Sequence, residues 1–220
     1  LTHEAGELED LQTSTTRIQP GMGVFPSDAP DEAELFTVRF EKGQPVQING
    51  EKVGPLEAIE RCNALGGRHG IGIGLHAVEN RFVGIKSRGI YEAPALELLG
   101  HCYEYLLQLV LDRRARKMYA PMSEYIAEQI YQGYWFDTAT QACWKFIEHL
   151  NDLATGTITL SLYKGRATFH AASDVPHSLY SEDTASMEDI GDFDHRDSEG
   201  FLGVLGVSAR ALNTAGQTHL

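Results

Sequence analysis

The chain has 220 residues, of which 42% are apolar, enough to furnish a core for one large domain or two small ones. Eighteen Lys and Arg stand against 31 Asp and Glu, a formal charge of −13 that repels phosphate backbones and anionic lipid over most of the surface and disfavours nucleic-acid and membrane partners. No apolar run approaches the roughly 20 residues needed to span a bilayer, and the opening "LTHEAGELED" lacks a basic segment followed by an apolar one, so the chain reads as soluble.

Residues 1–33, with Pro20, Pro26, Pro30, Gly21 and Gly23, read as irregular or extended. "ELFTVRF" then alternates, with Phe36, Val38 and Phe40 on one face. After the turn "EKGQ", Val46 and Ile48 repeat the period of two, which predicts a β-hairpin. "GPLEAIERCNALGG" changes to helical spacing, with Leu56, Ile59 and Leu65 toward one side and Gly66–Gly67 as the stop. A short strand is expected at "RFVGIK", residues 81–86. From Pro94 to about Leu111 the spacing predicts a long helix whose buried stripe is Leu96, Leu99, Tyr103, Leu106, Leu107 and Val110.

A further helix is predicted from Pro121 to Gln132, ending at Gly133. Another runs from an Asp137 N-cap to about Leu153, with Phe146, Ile147 and Leu150 inward. "GTITLSLY" puts Ile158, Leu160 and Leu162 on one face, "KG" turns, and "RATFHAA" continues with Ala167, Phe169 and Ala171. Residues 174–199 are acidic and turn-rich, and "GFLGVLGV" is expected to close the chain with a strand. No internal repeat of 20 to 50 residues is present. Hairpins and helices segregate rather than alternate, which predicts an α+β fold of antiparallel hairpins packed with three or more helices.

Familiar chemical signatures fail in detail. In "GGRHGIGIG" a dinucleotide fingerprint starting at Gly70 would need glycine where Leu75 stands, so a tight backbone path against a packed element is expected instead. "HEAGE" has Glu7 where a zinc protease carries its second histidine, and nine histidines show no paired ligand spacing, so no metal site is expected. No G-x-S-x-G elbow occurs. Cys62, Cys102 and Cys143 lie inside apolar helical patterns and read as reduced core thiols.

The segment "ENRFVGIKSRGIYEAP", residues 79–94, concentrates Glu79, Arg81, Lys86, Arg88 and Glu92 around one short apolar stretch, together with Tyr91. Carboxylates for an ammonium and a guanidinium for a carboxylate are what a pocket for a zwitterionic small molecule needs. A structural salt-bridge network at a domain or subunit contact is the competing reading.

"EAGELED", "FEKGQPVQING", "GGRHGIG", "VENRFVGIKSRGIYEAP", "IYQGYWF", "TGTITLSLYKG", "SLYSED" and "DSEGFLGV", in this order, resemble the C-terminal catalytic and multimerisation region of argininosuccinate synthase over nearly the whole chain. The resemblance implies an ATP-dependent ligase, with Mg accompanying the nucleotide, that joins citrulline to aspartate through a citrullyl-adenylate and releases AMP and pyrophosphate. It implies citrulline contacts at Thr2, Glu4, Glu79 and Tyr91, with Ser87, Arg88 and the "GRHG" turn (residues 67–70) as second candidates.

It also implies a cytoplasmic homo-oligomer, a tetramer in the full-length enzyme. By the same resemblance residues 1–33 follow a missing nucleotide-binding domain, 34–205 form the synthetase catalytic and multimerisation domain, and 206–220 are a tail. The family's phosphate loop, S-G-G-x-D-[ST]-S, occurs nowhere here, and aspartate contacts belong to that same missing part. The first residue, Leu1 rather than Met, fits a lost upstream portion. No catalytic residue is assigned, no nucleotide is expected to be held by these residues, and the fragment alone is expected to be inactive. The other possibility is a stand-alone amino-acid-binding or assembly module of the same fold.

Overall fold

The computed structural model describes residues 1–4, 6–181, 185 and 195–217. They fall into two units, Leu1–Leu179 and Tyr180–Leu220. Of the acidic stretch predicted over 174–199, residues 182–184 and 186–194 lie outside the described residues.

The first unit carries two antiparallel sheets. One has the order β1-β6-β5, from β1 (Thr2–Glu4), β5 (Leu75–Asn80) and β6 (Lys86–Tyr91). The other runs β4-β3-β2-β7-β8, from β2 (Glu34–Glu41), β3 (Gln44–Ile48), β4 (Glu51–Lys52), β7 (Gly156–Tyr163) and β8 (Arg166–Ser173). Its hairpins close at Lys42-Gly43, Asn49-Gly50 and Lys164-Gly165, where both residues have positive φ, the turn whose twist matches the flanking strands.

The core lies on the larger sheet. Phe36 faces Leu160 and Val38 faces Ile158, and all four are fully buried, as the period of two predicted. Helices α1 (Pro55–Arg68) and α2 (Pro94–Val110) cover that face. Ala58, Cys62 and Leu65 of the first and Ala95, Leu98, Cys102, Leu106, Leu107 and Val110 of the second join one buried cluster with the strands.

The predicted stripes hold in part: Leu65, Leu106, Leu107 and Val110 are buried as expected, but the N-terminal members of each stripe are not. Leu56 and Leu96 are 71% and 67% exposed, and Leu99 and Tyr103 are only partly buried. Small Ala58, Ala95 and Cys102 take the inward positions, a choice that counting large apolar residues misses. Burial pushes the Cys62 thiol up to about 12 and Cys102 higher still, whereas Cys143 is half-buried beside the Met122 sulfur; all three are free.

Gly66 and Gly67 do not stop α1, which continues to Arg68. They are where other backbone comes closest. Val24 N–H donates to the Gly67 carbonyl at 3.0 Å, a Cβ on Gly67 would collide with the Met22 carbonyl oxygen, and one on Gly66 would lie 2.9 Å from Pro94 Cβ. The tight backbone path expected of "GGRHG" is therefore present.

Helix α3 (Arg113–Gln132) begins a full eight residues before Pro121, because Asp112 caps it, accepting from Arg114 N–H at 2.7 Å and Ala115 N–H at 3.3 Å. Pro121 lies inside it. Gly133 ends it in the left-handed conformation, as predicted. Asp137 precedes α4 (Thr138–Asn151), whose Ile147 and Leu150 are buried and Phe146 partly so.

In β8 a bulge between two pairings, Thr159 with Ala171 and Leu160 with Phe169, takes Ala171 off the expected face. Phe169 remains 46% exposed and packs on Tyr105 with ring centroids 4.9 Å apart. In the second unit "GFLGVLGV" belongs to a helix, α5 (His195–Thr214), not a strand. A short apolar run does not distinguish the two by period, and flanking residues such as "SARALN" extend a helix. Phe201, Leu202, Val204, Leu205 and Val207 on it are exposed.

Gly67→Ala should lower the unfolding free energy by about 2–3 kcal/mol, since backbone must shift to admit the methyl. Gly100→Ala on α2, where a Cβ meets nothing within 4 Å, should raise it by about 0.5–1 kcal/mol. Denaturant unfolding of both variants checks the pair, and a Gly67→Ala protein as stable as the parent contradicts the close approach.

Candidate functional site

The smaller sheet collects the residues singled out by the sequence. Residues 81–86 were expected to form a strand, but 81–85 are the turn of the β5–β6 hairpin. Arg81 N–H donates to Ile85 O and Gly84 N–H to Arg81 O, both at 2.8 Å, and Gly84 has φ +85°. Phe82, Val83 and Ile85 consequently stand 66%, 76% and 59% exposed. The apolar alternation that suggested a strand continues across a connection whose direction Gly84 sets.

Pairing register decides what shares a face. Tyr91 stands between Thr2 and Leu75, Gly89 between Glu4 and Ala77, and Ser87 opposite Glu79. Directly paired residues point the same way and neighbours along a strand point oppositely. Thr2, Glu4, Glu79, Ser87 and Tyr91 therefore occupy one face, brought together from three strands.

The Tyr91 hydroxyl donates to Glu79 Oε1 across Gly89, where a Cβ would lie 3.1 Å from Tyr91 Cε2. Absence of a side chain at position 89 lets the ring lean over the strand to reach its acid. Glu4 accepts from Arg81 Nη2 at 2.8 Å. It thus reaches the face already paired.

Arg88 points the other way and is occupied by structure. Its guanidinium donates to His76 Nε2 at 2.9 Å and to the carbonyls of Asp10 and Thr13 at 2.8 Å, fastening residues 8–13 behind the sheet. A concavity of about 440 Å³ lies mainly on this reverse side, with Leu8, Leu11, Val78 and Lys86 in its wall, and Arg81 and Ser87 line it as well. It is not over Glu79 and Tyr91.

The "GRHG" turn joins neither side. Arg68 and the buried His69 both bond Glu34 of the larger sheet, at 2.6 and 2.9 Å. Burial pushes the Glu34 carboxyl up, but these two partners outweigh it and hold the group below its ordinary range. Among the described residues no three His, Cys, Asp or Glu side chains converge as a metal-binding group.

Sequence reasoning grouped Glu92 with the ionic cluster and missed its part. It is 3% exposed. Its carboxylate accepts Gly21 N–H at 2.9 Å on both oxygens and Met22 N–H at 2.6 Å, with His3 Nε2 2.5 Å from Oε1. Burial raises this carboxyl, but the donors from Gly21, His3 and Met22 prevail and keep it below the ordinary carboxylate range. The one hint in the sequence was an acid just before Pro94, where chain direction changes. Its partners are too distant along the chain to be read.

The bond to Glu79, then burial, then the charges of Glu79 and Glu4 push the Tyr91 phenol from 10.0 up to about 12. Below pH 10 both folded and unfolded chains keep the proton, so the stabilisation is complete there; from about pH 10 the unfolded chain ionises first and stability falls until the folded phenol also ionises. A tyrosine Cζ resonance titrating near 12 and lost in Tyr91→Phe is expected by NMR, returning toward 10 in Glu79→Gln. A Tyr91 that titrates near 10 in the parent contradicts the contact.

Comparison with known proteins agrees with the motifs. A family model described as the arginosuccinate synthase C-terminal domain matches residues 1–212. Argininosuccinate synthase of Rhodopirellula baltica is 41% identical over 211 residues, covering 96% of this chain and 52% of that protein. The enzyme of the same name from Desulfitobacterium hafniense is 41% identical over 214 residues, covering 96% and 53%. That of Nitratidesulfovibrio vulgaris is 40% identical over 207, covering 94% and 52%. The chain spans about half the length of the curated relatives it matches.

Proposed function

The chain belongs to the argininosuccinate synthase family, whose C-terminal domain it matches, and from that membership we propose that its small sheet supplies the citrulline contacts of an ATP-dependent ligase. The observation that carries this is the shared face of Thr2, Glu4, Glu79 and Tyr91, assembled from residues up to 89 apart in sequence.

Citrulline presents an ammonium, a carboxylate and a neutral ureido group. Glu4 arrives paired with Arg81, so its charge is partly spent, whereas Glu79 accepts only a neutral hydroxyl from Tyr91 and retains a full charge for the ammonium. Thr2 adds a hydroxyl that can donate or accept at the edge of the sheet. Arg81 is spent equally on Glu4, but its guanidinium keeps further N–H donors that can reach the carboxylate.

In the reaction the ureido oxygen attacks the α-phosphorus of ATP and pyrophosphate leaves, giving a citrullyl-adenylate. The aspartate amine then attacks the ureido carbon, loses a proton, and displaces AMP. Neither step needs a protein nucleophile, so this sheet would act by positioning the ureido group. ATP, its Mg and aspartate would be held chiefly by the remainder of the enzyme.

The proposal includes a cytoplasmic homo-oligomer, a tetramer for the full-length enzyme, and the exposed apolar side chains of α5 support association. Within it residues 34–205 would be the catalytic and multimerisation part and 206–220 a tail.

Glu79→Gln keeps shape but replaces a charged acceptor with a neutral amide, a change worth roughly 1.5–3 kcal/mol in a charge-assisted bond. In the synthase containing this chain, kcat/KM for citrulline should fall about tenfold to hundredfold, with ATP and aspartate parameters far less affected. Steady-state kinetics for each substrate, beside thermal unfolding, check this. Parallel loss for all three substrates with a lowered melting temperature would favour a purely structural network.

A further inference from the structure

β1 is three residues long and lies at an edge of its sheet, paired on one side only. So short a strand is marginal by itself. Two of its three side chains nevertheless belong to the face proposed to take citrulline.

The middle side chain points the opposite way. His3 pairs with the buried Ile90, and its Nε2 sits 2.5 Å from Oε1 of Glu92, two residues after Ile90 and the first beyond β6. Glu92 is itself fixed, its two oxygens occupied by the N–H groups of Gly21 and Met22. Its own N–H donates to the Leu1 carbonyl at 2.9 Å, so one residue holds β1 through both main chain and side chain.

We infer that the His3–Glu92 contact is the positioning clasp of the substrate face, with His3 and Glu92 acting through Thr2 and Glu4 rather than touching substrate. The reason is alternation. A strand whose central residue is anchored on one face must present its neighbours on the other, and a slip of one residue would exchange His3 for Thr2 or Glu4. Backbone pairing over three positions resists such a slip weakly; a hydrogen bond to a buried, immobile carboxylate resists it strongly. The clasp rests on the front face being the citrulline site.

The test uses the synthase containing this chain, with His3→Phe, which keeps a planar ring and removes the nitrogen, and His3→Gln, whose amide N–H can still reach the carboxylate. KM for citrulline should rise about tenfold in His3→Phe, while KM for ATP and kcat at saturating citrulline stay within about twofold. His3→Gln should recover most of the loss. In the 220-residue chain, amide hydrogen exchange of Thr2–Glu4 should accelerate in His3→Phe and not in His3→Gln.

A fall in melting temperature with unchanged KM for citrulline would overturn the clasp, as would a His3→Gln enzyme no better than His3→Phe. The two levels separate in the parent enzyme. Absence of citrulline-dependent AMP formation there removes the citrulline reading and the clasp with it, whereas normal citrulline saturation that His3→Phe leaves untouched removes the clasp alone.

Discussion

A carboxylate withdrawn from water is tolerable only where N–H groups replace the lost solvent, and around Glu92 those groups come from two other parts of the chain. Gly21 and Met22 supply two from a loop and His3 supplies one from the edge strand, while Glu92 itself directly follows the central strand of the small sheet. Removing the acid would strand these donors, each at a cost of about 1–3 kcal/mol if left buried and unpaired. The same requirement that makes Glu92 expensive to bury makes the three segments inseparable. In this structure they satisfy it together.

That arrangement is tied to the main core. The loop holding Glu92 runs on to Val24, which bonds the Gly67 carbonyl, and α2 begins two residues after Glu92 with Pro94 against Gly66. α1 and α2 are in turn buried against Phe36, Val38, Ile158 and Leu160. A path of close contacts thus leads from the five-stranded sheet, through two glycines without room for a methyl group, to the strand that carries Tyr91. The face proposed for citrulline is held by packed elements rather than by its own small sheet, which with three strands has little core to stabilise it.

The hairpins of the larger sheet were legible because Phe36, Val38 and Phe40, and Ile158, Leu160 and Leu162, repeat at two, with turn residues between the strands, whereas the β2–β7 pairing that joins them links residues more than 110 apart and was not. Tyr91 and Glu79 were legible as a charged, aromatic segment, and as a family motif. What escaped depends on partners far along the chain. The apolar run at Phe82, Val83 and Ile85 looks like a strand until Gly84 is known to bend it, and Pro121 looks like a helix start until Asp112 is seen to cap an earlier one. Ala95 and Cys102 outrank Leu96 for the core because they face α1, Ala95 N–H donating to Asn63 Oδ1 at 3.0 Å and Cys102 sharing the buried cluster with Cys62. Glu92 resembles its ionic neighbours in sequence and differs from them only in burial.

The central claim is that one face of the small sheet receives citrulline, and backbone amide shifts during a citrulline titration of this chain test it most directly. At millimolar citrulline the largest shifts should fall on Thr2–Glu4, on Glu79 and on Gly89–Tyr91, the strands that share the face. Shifts gathered instead on the reverse concavity at Leu8, Leu11, Ile85 and Lys86, or on the five-stranded sheet, or none at all, would contradict it.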